Sequence, residues 1–135
     1  MRTSGTFHVS VADDQANSRN VMVQKLAVMR PNWKVHIHDT AEAVLEDWEQ
    51  MDLLIVENNF GASKLTGFQA IQLIRQQEHG EDFFIALWSV DHVQDDPGAN
   101  CIWENNVGPC TMASDLCKLL GREQLAGADA MASSR

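Results

Sequence analysis

Acidic and amide side chains close most of the apolar runs in this chain. Asp13 and Asp14 follow the run Phe7-His-Val-Ser-Val-Ala12, and Glu57 follows Asp52-Leu-Leu-Ile-Val56 with Asn59 two positions on. Ser89 follows the run from Phe83 to Trp88, and Asn105 comes soon after Cys101-Ile-Trp103. Three carboxylates brought to one place raise each other's pKa values and destabilise a fold, unless a cation or hydrogen-bond donors offset them. Hard oxygen donors of this kind suit Mg²⁺. The alternative is that strand ends face water and are often acidic, and that Asp13-Asp14 is a turn and helix cap.

For these residues to meet, the runs before them must be neighbouring strands ending on one edge. Phe7–Ala12 reads as a first strand and Trp33–His38, which alternates between larger apolar and polar residues, as a second. Asp52–Val56 and Phe83–Leu87 are continuous apolar runs, the pattern of strands buried on both faces of a parallel sheet. Cys101–Trp103 is a short fifth strand. Between them lie helical stretches. Gln15–Met29 carries Met22, Lys25, Leu26 and Met29 on one side, where only the Lys stem fits poorly, and stops at Arg30-Pro31-Asn32. A second helix carries Ala41, Val44, Leu45 and Trp48 at helical spacing, with Asp39 and Glu42 placed as a capping box. Thr66 and Gln69 cap a third, whose inner stripe is Phe68, Ile71 and Ile74. Thr111 is placed to cap a last helix bearing Met112, Leu116 and Leu119, with Gly121 as its stop.

Strands alternating with helices imply an α/β domain, a doubly wound five-stranded parallel sheet covered on both faces. Ligands of such sheets bind beyond the carboxyl ends of the strands. The expected domain spans residues 1–121. Residues 122–135, rich in Ala, Gly and Ser, read as a flexible tail.

Bulk composition narrows the function further. The 135 residues carry 10 basic and 19 acidic side chains, a formal charge of −9. That field opposes a nucleic-acid face, which needs clustered Lys and Arg. No apolar run reaches the length of a membrane span, and no signal-peptide pattern opens the chain. The expectation is a cytoplasmic protein with no membrane partner. Cys101, Cys110 and Cys117 match no zinc or redox spacing. His36 and His38 share one face of the second strand, but no third metal ligand accompanies them. Neither a dinucleotide fingerprint nor a phosphate-binding loop with its Lys is present.

The order and spacing of these features resemble the receiver domain of bacterial response regulators, over roughly Phe7 to Leu120. The resemblance implies the strand order 2-1-3-4-5 of the flavodoxin-like topology. It implies that "VADD" supplies the acidic pair that helps hold Mg²⁺, and that the carbonyl of Asn59 completes the metal set with Asp13 and Asp14. It places Ser89 where a Ser or Thr coordinates the phosphoryl group. Counting from Asp52, Glu57 falls where the phosphoacceptor Asp belongs, and Asn105 falls where a Lys pairs with phosphate.

The departures carry the functional reading. Glu57 has the charge of Asp but one more methylene, so an acyl phosphate on it would be displaced relative to metal and Ser89. A misplacement of about 1 Å can cost about 100-fold in rate. Asn105 donates a hydrogen bond but balances no charge. The rim from Glu57 to Gly67 is longer than usual. Only fifteen residues separate Ser89 from Asn105, and Asp95-Asp96-Pro97-Gly98 breaks any helix there, so helix 4 of that topology is shortened. Ile102 takes the place of the aromatic switch on the fifth strand, with Trp103 on the opposite side. These two form a candidate output surface.

The expectation is therefore a degenerate phosphorylation pocket of Asp13, Asp14, Glu57, Ser89 and Asn105 with no catalytic residue. The protein would be a phosphorylation-independent signalling module, with Mg²⁺ as its one candidate cofactor. Its partners would be proteins: a kinase, an output domain, or a second copy in a homodimer. The alternative is a divergent Mg²⁺-dependent, phosphate-accepting receiver of a two-component system.

Overall fold

The computed structural model describes residues 6–58, 65–89, 98–104 and 107–119. Five strands, β1 (His8–Ala12), β2 (Lys34–His38), β3 (Leu53–Glu57), β4 (Phe84–Ser89) and β5 (Cys101–Glu104), form one sheet in the order β2-β1-β3-β4-β5. Every pairing is parallel. Among the described residues the α-helices are α1 (Ala16–Met29), α2 (Ala41–Asp47), α3 (Gly67–Arg75) and α4 (residues 109–119). The expected doubly wound α/β sheet is the observed one, and its order reverses at β1.

Strand alternation sends odd and even positions to opposite faces, and each face has its own core. On one face Val9, Val11, Leu53, Ile55, Trp88 and Trp103 pack against Met22 and Leu26 of α1 and Met112 and Leu116 of α4. On the other, Leu54, Val56, Ile85 and Leu87 pack against Val44 of α2 and Ile71 and Ile74 of α3. All five residues of β3 are buried, as its unbroken apolar run requires of a central strand.

Helix ends follow local chemistry, in part differently from the sequence reading. Thr66 caps α3 through the full reciprocal box with Gln69, as expected. The cap of α2 is Thr40, whose hydroxyl accepts the Ala43 amide at 3.1 Å, one residue after the expected Asp39. Helix α4 begins at Pro109, two residues before the expected cap Thr111, because a proline at the first helical position needs no partner for an N–H. The third and fifth strands each run one residue further than the sequence pattern indicated, to Glu57 and Glu104, and the fourth runs two beyond Leu87, to Ser89. The expected shortened helix 4 and the residue 122–135 tail lie outside the described residues. So do two site residues, Asn59 and Asn105.

Arg75, at the end of α3, binds the amino-terminal side of the sheet together. Its guanidinium donates to the carbonyls of Gly80 (2.6 Å), Phe83 (2.7 Å) and Gly98 (2.8 Å) and to Asn100 Oδ1 (3.0 Å). Asn100 Oδ1 also accepts the Ile85 amide at 2.8 Å, so one side-chain cluster sets the entry to both β4 and β5.

Candidate functional site

The carboxyl ends of β1, β3 and β4 meet on one edge. Ala12 lies in register with Val56, which puts Asp13 level with Glu57. Glu57 in turn pairs with Trp88, the residue before Ser89. Asp13 is fully buried, Glu57 is 5% exposed and Ser89 is 3% exposed. Asp14 is half-buried. Burying this many polar side chains at one strand edge is costly unless each is satisfied.

Asp13 is satisfied only in part. Its amide donates to the His38 carbonyl at 3.0 Å, and its Oδ1 accepts the Gln15 amide at 2.9 Å, opening α1. Its Oδ2 is buried with no hydrogen-bond partner among the described residues. Burial pushes the Asp13 carboxyl above the usual carboxylate range, and the neighbouring charge of Asp14 adds to this. The Gln15 amide and Arg19 act the other way. Arg19 donates to the Asp13 carbonyl at 3.0 Å, which places a guanidinium beside the acidic pair.

Glu57 is turned back on its own backbone. Its Oε1 accepts the amide of Asn58 at 2.9 Å. Asn58 then fixes the start of α3: its carbonyl accepts the Gly67 amide at 2.9 Å and its Oδ1 the Phe68 amide at 3.0 Å. Gly67 is there because of this close approach. A Cβ at that position would stand 2.4 Å from the Glu57 carbonyl oxygen and 2.9 Å from Asn58 Cα.

The fifth strand corrects one expectation. Trp103 is 1% exposed and its indole Nε1 donates to Asp115 Oδ2 at 2.8 Å, so it is a core residue joining β5 to α4. It forms no part of an output surface. Ile102 is half-buried and packs with the core on the α2–α3 side, opposite to Trp103.

A polar chain that sequence reading missed crosses β1, β2 and α2. Ser10 Oγ lies 2.6 Å from His38 Nδ1, and His38 Nε2 faces the two Asp47 oxygens at 2.8 and 3.0 Å. The residue types are those of a nucleophilic triad, but Ser10 is 1% exposed and closed to solvent. Alongside it, His8 Nδ1 meets His36 Nε2 at 2.8 Å, and burial lowers the His36 pKa, with His8 adding to the effect. His36 and His38 share a strand face yet engage separate partners. Among the described residues, no group of three His, Cys, Asp or Glu is placed to hold a metal ion. Only pairing across 28 positions of sequence creates these contacts, so no local pattern announces them.

A scan against protein-family models finds no match, and neither does a search of curated proteins. Solved structures do match. The chain is similar to the receiver domain of a sensor histidine kinase from Pseudomonas aeruginosa PAO1, solved with a magnesium ion coordinated in its active-site cleft. The TM-score is 0.75 at 17% identity, over 87% of this chain and 99% of that one. It is similar to the signal receiver domain of an HD domain-containing protein from Pseudomonas fluorescens Pf-5 (TM-score 0.73, 15% identity, 90% and 98% covered). It is also similar to the chemotaxis response regulator CheY4 of Vibrio cholerae (TM-score 0.70, 17% identity, 84% and 98% covered). With the strand order β2-β1-β3-β4-β5 and helices on both faces, the chain has the fold of response-regulator receiver domains.

Proposed function

We propose that this chain is a regulatory protein-interaction module built on the receiver fold, and that it works without phosphorylation at the end of β3. The observation that carries the reading is the state of Glu57, which is buried and folded back so that Oε1 accepts its neighbour's amide at 2.9 Å. A phosphoacceptor must present a carboxylate oxygen to an incoming phosphoryl group with a metal and a cation beside it. Glu57 spends an oxygen on Asn58, and Asn in place of Lys at position 105 supplies no charge. Its partner is a protein, a kinase or an output domain, and control is by binding. The test is to compare what an immobilised chain retains with and without a small acyl-phosphate donor and Mg²⁺. The same partner is expected in both. A partner retained only after donor treatment overturns the reading.

One observation favours a second reading, a divergent Mg²⁺-dependent phosphate acceptor. Asp13 Oδ2 is a hard oxygen that is buried and lacks a partner, the type of donor Mg²⁺ takes. Asp13, Asp14 and the carbonyl of Asn59 would hold the ion, which would neutralise charge on a bound phosphoryl group. Titrating Mg²⁺ while following tryptophan emission tests it, since Trp88 lies level with Glu57. No response at high millimolar Mg²⁺ removes this reading.

A further inference from the structure

At the opposite edge of the sheet, below the amino ends of β3 and β4, lies a cavity of about 470 Å³. That volume is in the range of sites that enclose most of a ligand. Its floor is apolar: Trp48 and Phe83, with ring centroids 5.1 Å apart, together with Met51, are all buried. Its mouth is acidic. Glu49 and Asp82 are exposed, and their carboxylates make no hydrogen bond or ion pair within the described residues. Asp52 is also part of the wall, although its Oδ2 accepts the His8 amide at 2.7 Å. Among the described residues, no Lys or Arg lines the cavity, and His79 is the one basic side chain.

We propose that this cavity binds an arginine side chain from a basic peptide segment of a partner protein. An aromatic floor under two unspent carboxylates attracts a flat, weakly hydrated cation. The guanidinium group stacks on aromatic faces and forks to carboxylates, which an ammonium does not do as well. The volume exceeds what one guanidinium needs, so the aliphatic stem and flanking backbone enter with it. The chain's overall charge of −9 steers a basic partner toward this surface. The site lies away from the Asp13–Glu57 pocket, so it stands or fails separately from the reading of that pocket.

The test is calorimetric titration of the full chain with a blocked peptide holding one central arginine. The same peptide with citrulline and free arginine amide serve as comparisons. The arginine peptide is expected to bind, and citrulline to weaken it about tenfold. Glu49→Gln with Asp82→Asn is expected to weaken the arginine peptide about five- to tenfold, since each exposed pair contributes modestly. Both side chains are exposed, so the fold is unaffected. Asp39→Asn removes one carboxylate at the carboxyl edge of β2, as Asp82→Asn alone does at the cavity, and is expected to change nothing. Absence of binding, equal binding of the citrulline peptide, no weakening by Glu49→Gln with Asp82→Asn, or weakening by Asp39→Asn equal to that of the double variant each overturns the proposal. Free arginine amide binding as tightly as the peptide would replace the peptide with a small cation and also overturn it.

Discussion

Replacing Asp13 with Asn is expected to stabilise the protein at neutral pH. The carboxylate is fully buried, with Oδ1 bonded to the Gln15 amide and Oδ2 without a hydrogen-bond partner among the described residues. Asn keeps the Oδ1 contact and exchanges a buried charge for a neutral amide, which still lacks a partner. Leaving a buried polar group unsatisfied costs about 1–3 kcal/mol, and more when it is charged. The substitution also removes repulsion from Asp14 and forfeits attraction to Arg19. The net gain should be about 1–2 kcal/mol. The pH dependence gives a second handle. Because burial raises the folded-state pKa above 3.8, the native state binds this proton more readily than the unfolded state. The penalty is therefore fully present above the folded pKa. It is relieved as pH falls through that value and is gone below the unfolded value. Urea unfolding of wild type and Asp13→Asn, in chelator from neutral to acid pH, reads both effects. The two stabilities should differ most at neutral pH and converge as pH falls. A less stable variant, or a difference independent of pH, would refute the account of Asp13.

Other perturbations follow from the same geometry. Arg75→Ala should destabilise by about 2–4 kcal/mol, since its guanidinium makes four hydrogen bonds to described residues and two are part-buried; a loss under about 1 kcal/mol in urea unfolding would show that Arg75 does not set the entry to β4 and β5. Gly67→Ala should destabilise clearly, because its Cβ would meet backbone at 2.4 Å. Chemical shifts around Glu57 and Asn58 should move with it, and an unperturbed spectrum would contradict the packing. Burial pushes the Cys101 thiol up to about 12, while Cys110 and Cys117 are exposed. Alkylation of the native chain near pH 8 should therefore label Cys110 and Cys117 first and Cys101 only on unfolding; peptide mapping that finds Cys101 labelled as fast would count against its burial.

How much of this was legible in the sequence depended on the range of the interaction. The central strands announced themselves, because a strand buried on both faces needs an unbroken apolar run, and Asp52–Val56 and Phe83–Leu87 are such runs. The Thr66–Gln69 box was legible because its partners lie three residues apart. The level of Asp13 with Glu57 followed from both closing parallel neighbours. Trp103 was misread because strand alternation gives a face without saying whether a helix covers it, and Met112 and Leu116 of α4 do. Ser10–His38–Asp47 and the four-way Arg75 clamp join residues that only the folded topology brings together. The acidic mouth over Trp48 and Phe83 was hidden for the same reason.

The central claim is that Glu57 does not accept phosphate. Its most direct test is intact-mass measurement of the full chain after incubation with an acyl-phosphate donor and Mg²⁺, beside a Glu57→Asp/Asn105→Lys variant that restores acceptor and cation. The wild type should keep its unmodified mass while the variant gains one phosphoryl group. A phosphoryl adduct on the wild type, mapped to Glu57, would contradict the account.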